Sequence, residues 1–375
     1  MFEFKKEQQM LRTMVSEFAE KELAPRALEL DRKGEFPAEI VKRLASLGLL
    51  GISVPKELGG SGMGHLAQLI AIEEVARAYP SAAFFLEIGT GPLFAISGFG
   101  SEEQKKKYVP AILKAEKIMC IAATEPTGGS ELTNLGTEAV TKDGGYVING
   151  RKVYITAGGI ADYCLLLAKT GDRASFLLVE KGTSGFTVSR RQDQMGLRSV
   201  VVSELAFSDC KVPAENLVGR EGAGFPMAIT TFTLARPAVG AIGLGIARGA
   251  FDIALKYAKE RILYKKPIAS LQAVQFLLAE MDTEIDAARW LVYQPGAALD
   301  NGATARDISK ASARAKAAGA EVGLSVTRKA IEVLGGNGVS PEYRLAGLLN
   351  DAMELVPATG TQQIMKIIQA GEILR

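Results

Sequence analysis

The chain has 375 residues, of which 47% are hydrophobic and 23% are charged, proportions that are typical of globular proteins and exclude disorder. Forty-four Lys and Arg residues against 42 Asp and Glu residues give a net charge of +2, so no overall field favours nucleic acid or anionic membranes as partners. The length predicts two or three domains.

The cysteine and histidine content excludes several kinds of site. Cys120, Cys164 and Cys210 are widely spaced and form no CxxC pair, which favours free thiols in a reducing compartment. His65 is the single histidine, which excludes most zinc sites and Ser-His-Asp triads; it follows a glycine-rich stretch and is interpreted as a loop residue. The longest apolar run, residues 237–247, is too short to span a bilayer. We expect a cytoplasmic enzyme without a membrane span.

Residues 1–118 carry a helical pattern. Leu11, Val15 and Phe18 recur at three- and four-residue steps, and residues 66–78 repeat this spacing. The sequence therefore predicts an N-terminal α-helical domain that ends near residue 118.

Residues 119–225 alternate between polar and apolar side chains in short runs. Residues 142–145 and the pair Asn149-Gly150 are typical of hairpin turns between such runs. This pattern predicts an antiparallel, barrel-like β-domain. The stretch contains no G-x-G-x-x-G after a strand and no Walker loop, which excludes a βαβ nucleotide-binding fold.

Residues 226–375 return to helical spacing. Helices are predicted over residues 247–259, 271–291, 303–333 and 351–374, and their alanine and glycine content favours tight packing in a four-helix bundle. The predicted fold class is α+β, with a helical domain, a β-domain and a helical bundle in that order.

Residues 123–131 combine glycines with hydroxyl side chains where the helices give way to strands. Converging backbone N–H groups in such a loop favour a phosphate or a flavin edge, although an ordinary polar loop remains an equal alternative. Within it, Thr124-Glu125-Pro126 followed by Gly129-Ser130 resembles the T-E-P-x-A-G-S signature of the acyl-CoA dehydrogenase family. The chain also resembles other sequence elements of the family, and they come in the same order as in the family. They lie at residues 152–156, 195–198 with 207–213, 261–264, 334–338 and 360–364.

The resemblance covers essentially the whole chain and implies FAD, a CoA thioester substrate, a homotetramer and reoxidation by an electron-transfer flavoprotein. It implies that Arg236 faces the thioester and that Arg261 reaches the FAD of a neighbouring subunit. The residues that it implies for cofactor binding are Thr124, Ser130, Tyr154, Thr156, Arg261, Tyr264, Glu332, Gly335, Gly336, Thr361 and Gln363. Tyr154, Tyr264 and Glu332 stand where the family usually has Trp, Phe and Gln.

The usual catalytic base is missing from the sequence. The family reaction removes an α-proton and a β-hydride, and the proton requires a carboxylate. The family's glutamate corresponds to Thr359, and the alternative position, just before the helix arginine, is Ala235. A threonine hydroxyl is no substitute for the carboxylate without a partner base or metal, but the backbone N–H at 359 still polarises the thioester carbonyl.

Glu87 is the candidate replacement base. It lies in an apolar stretch that begins at Ala82 and matches a glutamate at the floor of the acyl pocket in medium-chain family members. Burial there raises the pKa of Glu87. Its position at the pocket floor directs it to a γ-carbon of an unsaturated acyl group. The resemblance then indicates 1,4-elimination from cyclohex-1-ene-1-carboxyl-CoA. The alternative is that Glu87 is an exposed or paired acid.

Two other functions remain open at this point. The first is an enoyl-CoA reductase or an eliminating enzyme on the same fold; a reductase needs a proton donor at the α-carbon, and solvent can serve as that donor. A non-catalytic FAD- or CoA-binding protein is the third possibility. Such a protein is expected to lose the cofactor-binding motifs, but this chain retains them.

Overall fold

The computed structural model describes residues 4–88 and 91–375, and it confirms the predicted order of helices, strands and helices. The first helices are α1 (Lys6–Phe18), α2 (Ala27–Lys33), α3 (Ala38–Ser46), α4 (His65–Ala78), α5 (Pro80–Ile88), α6 (Gly91–Phe99) and α7 (Glu102–Leu113). Helices give way to strands after Leu113 and return at Gly224. The domain limits at residues 118 and 225 stay predictions within these bounds.

His65 is the first residue of α4, so its interpretation as a loop residue was wrong. The backbone N–H groups of His65 and Leu66 donate to the Asp300 carboxylate at 2.6 and 3.1 Å. A carboxylate at a helix N-terminus satisfies the N–H groups that have no partner within the helix. The capping group lies 235 residues downstream of His65, so local sequence gave no sign of it.

The middle of the chain forms a sheet of the strands β1 (Met119–Ala122), β2 (Glu138–Lys142), β3 (Gly145–Ile155), β4 (Tyr163–Thr170), β5 (Arg173–Glu180), β6 (Phe186–Arg191), β7 (Ser203–Pro213) and β8 (Leu217–Val218). Their order is β6-β7-β3-β2-β4-β5-β8. Most neighbours are antiparallel as predicted, but β1 pairs with β4 in parallel, and β2 also touches β4 in parallel. A parallel pair needs a long connection, and the loop and hairpin between β1 and β4 supply it.

Only one of the two predicted hairpin turns exists. Residues 142–145 connect β2 to β3 as expected, but Asn149 and Gly150 lie inside β3, where the pairing with β7 shifts register. Asn149 Oδ1 accepts from the N–H of Asp209 at 2.8 Å, and a Cβ on Gly150 would lie 2.5 Å from Thr137 Oγ1. Asn149 and Gly150 therefore form a β-bulge, because only a glycine at position 150 permits this close approach to Thr137.

The last part of the chain is helical. Its elements are α8 (Gly224–Glu260), the hairpin β9 (Ile262–Leu263) and β10 (Lys266–Pro267), α9 (Gln272–Asp300), α10 (Ser309–Leu334), α11 (Leu345–Glu354) and α12 (Gln362–Ile373). The single helix predicted over residues 351–374 was wrong, because α11 and α12 are separated by a turn. Thr359 and Gly360 have φ angles of +51° and +107° in this turn, and Thr361 caps α12 by accepting from the N–H of Ile364. A left-handed residue cannot continue an α-helix.

Helices α8 and α10 touch backbone to backbone. A Cβ on Gly243 would lie 2.0 Å from the carbonyl oxygen of Gly319, so only glycine fits at this crossing. A Cβ on Gly240 would lie 2.4 Å from the carbonyl oxygen of Ala315. This close approach brings the adjoining turns of the two helices into the same buried region.

Two stretches are long and apolar enough to cross a membrane by length and composition alone. They are Gly224–Glu260 and the stretch 80–99, which runs across the two undescribed residues. In each, more than two thirds of the apolar window is buried inside the protein, and the core helix of a soluble protein passes the same test.

Candidate active site

Glu87 lies on α5 with its side chain 9% exposed. A Cβ on Gly91 would lie 3.9 Å from Glu87 Oε1 and 3.8 Å from the Cβ of Ala235, so the carboxyl group and Ala235 border the same space. No hydrogen bond or ion pair joins the carboxyl group to other residues in the ranges 4–88 and 91–375. Burial raises the pKa of Glu87 to about 8. Its protonated and ionised forms are therefore both accessible near neutral pH.

Arg236 connects α8 to the turn that contains Thr359. Its Nε donates to the carbonyl oxygen of Thr359 at 3.4 Å, and its Nη1 donates to Thr233 Oγ1 at 3.5 Å. The residue is 5% exposed, and burial lowers its pKa to about 10, so it carries its charge at neutral pH. Thr359 itself is half-buried, and in the described part of the chain its backbone N–H donates to no other group.

Lys316 on α10 is a buried cation that the sequence analysis missed. Its Nζ donates to the carbonyl oxygen of Val356 at 2.7 Å. Burial and the neighbouring charge of Arg236 lower the pKa of Lys316 to about 8. Neither cation forms an ion pair with an acid in the described residues. Lysine side chains in alanine-rich helices are usually exposed to solvent, so the sequence did not predict the burial of Lys316.

The described contacts link the candidate residues in two places. Arg236 donates to the turn at Thr359, and Glu87 borders Ala235, the residue before Arg236. Ala235, the other expected position of the base, is buried and apolar. A backbone N–H donor and a positive charge are groups that polarise a carbonyl group, and a buried carboxylate is a group that takes up a proton.

The predicted flavin residues of the β-domain lie around the end of β3. The N–H of Val153 donates to the carbonyl oxygen of Thr124 at 2.9 Å, which brings the loop that contains Ser130 beside the strand. Tyr154 is 68% exposed, and Thr156 follows it at the strand's end. An aromatic face and several hydroxyl groups are therefore accessible on one rim.

A buried ion pair holds this loop. Lys152 Nζ donates to Glu125 Oε1 at 2.8 Å and to the carbonyl oxygen of Ala123 at 3.0 Å. Glu125 also accepts from the backbone N–H groups of Gly136 and Thr137 at 2.6 and 2.9 Å. Although burial opposes ionisation, these hydrogen bonds lower the pKa of Glu125. The pairing was not predicted, because the partners are separated in sequence and belong to different elements.

The other predicted cofactor residues fall into separate groups. Arg261 is exposed between α8 and β9, and Tyr264 lies in the exposed turn of the β9–β10 hairpin. Glu332, which pairs with Arg328, is close to the end of α10, and Gly335 and Gly336 follow that helix.

Thr361 and Gln363 are found at the start of α12. Gln362 between them donates to the carbonyl oxygen of Ala317, about a third of the way along α10. Ala317 is about 27 Å along the helix axis from Gly335. The predicted cofactor-binding residues of a single chain therefore do not form one contiguous site.

The exposed groups nevertheless fit a dinucleotide cofactor. Cβ atoms on Gly335 and Gly336 would meet no other atom within 4 Å, which leaves their backbone open to a ligand. Thr124 and Ser130 add hydroxyl donors, and Tyr154 adds a flat apolar surface. These are the groups that bind phosphates and aromatic rings.

Comparisons with known proteins agree with this site. Models of the acyl-CoA dehydrogenase N-terminal, middle and C-terminal domains match residues 5–116, 120–210 and 222–374. Acryloyl-CoA reductase (NADH) of Anaerotignum propionicum is 39% identical over 100% of this chain and 96% of its own length. The CarC subunit of the caffeyl-CoA reductase–Etf complex of Acetobacterium woodii is 35% identical over 99% of each chain.

A solved structure extends the likeness to three dimensions. Butyryl-CoA dehydrogenase from Megasphaera elsdenii superposes with a TM-score of 0.95, at 34% identity over the whole of both chains. The chain belongs to the acyl-CoA dehydrogenase family of FAD-dependent oxidoreductases, which act on CH–CH groups of acyl-CoA thioesters.

Proposed function

We propose that this enzyme dehydrogenates a short or alicyclic acyl-CoA thioester with Glu87, in place of the family's usual glutamate, as the proton acceptor. Its reaction would be a 1,4-elimination from cyclohex-1-ene-1-carboxyl-CoA. The observation that carries the proposal is the buried Glu87 carboxyl group beside Ala235. Thr359 and Ala235 carry no carboxylate of their own.

Thr359 and Glu87 would have different roles in this reaction. The N–H of Thr359 would polarise the thioester carbonyl, and this makes the γ-carbon of a conjugated substrate acidic. Glu87 would take the γ-proton as the electron pair moves toward the carbonyl group. FAD, when bound, accepts the hydrogen that leaves with its electron pair from the ring carbon on the other side of the α-carbon. The product is a conjugated cyclic diene.

Position and pKa together favour Glu87 for this step. An ionised carboxylate in an apolar environment is a stronger base than one in water. With a pKa of about 8, Glu87 gains the driving force to take a proton from carbon and still ionises in a useful fraction near neutral pH. Glu87 lies on α5 and not on the turn at Thr359. This position supports removal of a proton from a carbon more distant from the thioester than the α-carbon.

Reduction of an enoyl-CoA is the second candidate function. Two relatives with reductase names, acryloyl-CoA reductase and the caffeyl-CoA reductase subunit, are similar over essentially the whole chain. The Thr359 N–H would polarise the carbonyl group as before, and solvent would supply the proton to the α-carbon, because Glu87 is directed to a more distant carbon. This candidate shares the thioester site and differs in direction.

The partners follow from the same relatives and from the site. We propose a homotetramer, because the predicted cofactor residues of one chain lie in separate groups and a neighbouring subunit would complete each FAD site. The name of the caffeyl-CoA reductase–Etf complex supports an electron-transfer flavoprotein as the redox partner. A cytoplasmic enzyme without a membrane span remains part of the proposal.

Anaerobic mixing of the FAD-loaded enzyme with a panel of acyl-CoA thioesters tests the function. Cyclohex-1-ene-1-carboxyl-CoA should bleach the flavin absorbance, and butyryl-CoA should do so far more slowly. Bleaching by butyryl-CoA alone would overturn the alicyclic substrate. Reoxidation of the photoreduced enzyme by acryloyl-CoA, without bleaching by any substrate of the panel, would favour the reductase.

A further inference from the structure

Arg236 and Lys316 form a buried pair of positive charges behind the turn that contains Thr359. Within residues 4–88 and 91–375, no carboxylate forms an ion pair with either. Burial lowers the pKa of Lys316 and the charge of Arg236 lowers it further, in agreement with the close approach of α8 and α10 at Gly240 and Ala315. Burying like charges is unfavourable unless a negative charge shares the site during function.

The two cations hold the two ends of one short turn. Lys316 Nζ donates to the carbonyl oxygen of Val356 at 2.7 Å, and Arg236 Nε donates to that of Thr359 at 3.4 Å. Between these anchors, Thr359 adopts φ +51°, a costly conformation for a β-branched residue. The Thr359 N–H, in the described part of the chain, donates to no other group. The turn is thus held in a conformation that presents a backbone donor.

We propose that Lys316 is a positioning residue that, together with Arg236, holds the Val356–Thr359 turn as an oxyanion site for the enolate form of the thioester. This rests on the proposed function, in which the thioester carbonyl meets the Thr359 N–H. It goes beyond that function by assigning a role to a lysine that touches neither the reacting carbon nor Glu87.

Charge balance gives the reason for the second cation. The glutamate that the family usually has at the position of Thr359 would lie beside Arg236 and offset its charge. Here threonine leaves the positive charge of both side chains uncompensated. In a poorly hydrated site this field stabilises negative charge on the thioester oxygen more strongly than on a neutral carbonyl group. The gain therefore falls on the enolate and not on the bound ground state.

Acetoacetyl-CoA is a probe that separates this role from dehydrogenation. Its α C–H bond lies between two carbonyl groups; when it breaks, the proton goes to solvent and the electron pair spreads over the two oxygens. The enolate absorbs in the near ultraviolet, so a pH titration of the bound probe gives its pKa. Neither hydrogen transfer to the flavin nor proton uptake by Glu87 is required.

We expect Lys316→Met to raise the pKa of bound acetoacetyl-CoA by about one unit or more, a tenfold loss in the enolisation constant. Lys316→Arg, which keeps the charge, should restore most of the effect. Lys256→Met on the exposed part of α8 is the matched control and should leave the probe's pKa unchanged.

An unchanged pKa of the bound probe in Lys316→Met would overturn the proposal. If Lys316→Met does not fold, Lys316→Arg and Lys316→Gln must differ from each other by the same tenfold factor, and equal values would overturn it. Failure of the cyclohexene substrate to reduce the flavin, with the probe's pKa still dependent on Lys316, would refute the proposed function alone.

Discussion

Glu87 and Ala235 lie on different helices and border the same small space beside Gly91. The Cβ of Ala235 and Oε1 of Glu87 both come within 4 Å of the point where a side chain on Gly91 would start. The carboxyl group on α5 therefore reaches the neighbourhood of the α8 position from which some family members present their base. A larger residue at position 91 would fill the space between the two.

Replacing Glu87 by glutamine should remove proton uptake while keeping the shape of the side chain. A positioned base contributes about 10²–10⁴-fold to a rate, so flavin reduction by cyclohex-1-ene-1-carboxyl-CoA should slow by that factor. Stopped-flow absorbance under anaerobic conditions measures it. Glu57→Gln on the exposed surface serves as the control. A Glu87→Gln enzyme with the parent's rate would remove Glu87 from the mechanism.

The rate of flavin reduction should depend on pH through Glu87. The ionised form is the proton acceptor, and burial raises its pKa to about 8, so the rate should rise with pH and level off above that value. The midpoint is measured from single-turnover rates between pH 6 and 10. Glu87→Asp should show the same sense of dependence. A rate that stays constant between pH 6 and pH 10 would show that Glu87 does not titrate with a raised pKa during the reaction.

The buried carboxyl group also predicts a pH-dependent effect on stability. Because its pKa is higher in the folded than in the unfolded chain, Glu87 costs stability as the pH rises from about 4.5 to about 8. Glu87→Gln should therefore be more stable than the parent by a margin that grows over this range. Each pKa unit corresponds to about 1.4 kcal/mol, so a rise from 4.5 to about 8 limits the margin to about 5 kcal/mol.

Urea unfolding of the two proteins at pH 5.5 and pH 8.5 checks the difference. The sign of the change with pH is the decisive result, because the two side chains have nearly the same shape. A margin that is equal at both pH values would contradict burial of the Glu87 carboxyl group.

Thr359→Glu should restore the ordinary family reaction. The new carboxylate would lie beside Arg236, which lowers its pKa and keeps it ionised at neutral pH. Butyryl-CoA, a saturated substrate, should then bleach the flavin at least about tenfold faster than in the parent. Thr359→Gln, with similar size but no charge, should show no gain. Equal rates for the two variants would indicate that residue 359 does not face the α-carbon.

Much of the fold could be predicted from periodicity, but the candidate site depends on contacts that periodicity does not encode. The spacing of Leu11, Val15 and Phe18 predicted α1 because it reports directly on one buried face. Asn149-Gly150 was misread because the same dipeptide suits a turn and a bulge, and the close contact with Thr137, just before β2, decides between them. Lys316 was missed because its burial arises where α8 and α10 approach each other.

The Lys152–Glu125 pair provides the last prediction, on the loop that carries Thr124 and Ser130. Lys152→Met would leave the buried Glu125 carboxylate without its cation and should destabilise the chain by about 3–5 kcal/mol. The loop should loosen from β3, so the affinity for FAD should fall as well. Lys142→Met, at the exposed end of β2, is the matched control.

The double variant Lys152→Met with Glu125→Gln distinguishes charge from packing. It removes both charges, so it should recover part of the lost stability, because no buried charge is left unpaired. FAD affinity, measured by the recovery of flavin fluorescence on release, should remain below that of the parent, since the loop has still lost its anchor at Lys152. If FAD affinity in Lys152→Met equals that of the parent while stability falls, the ion pair serves the fold and does not position the cofactor loop.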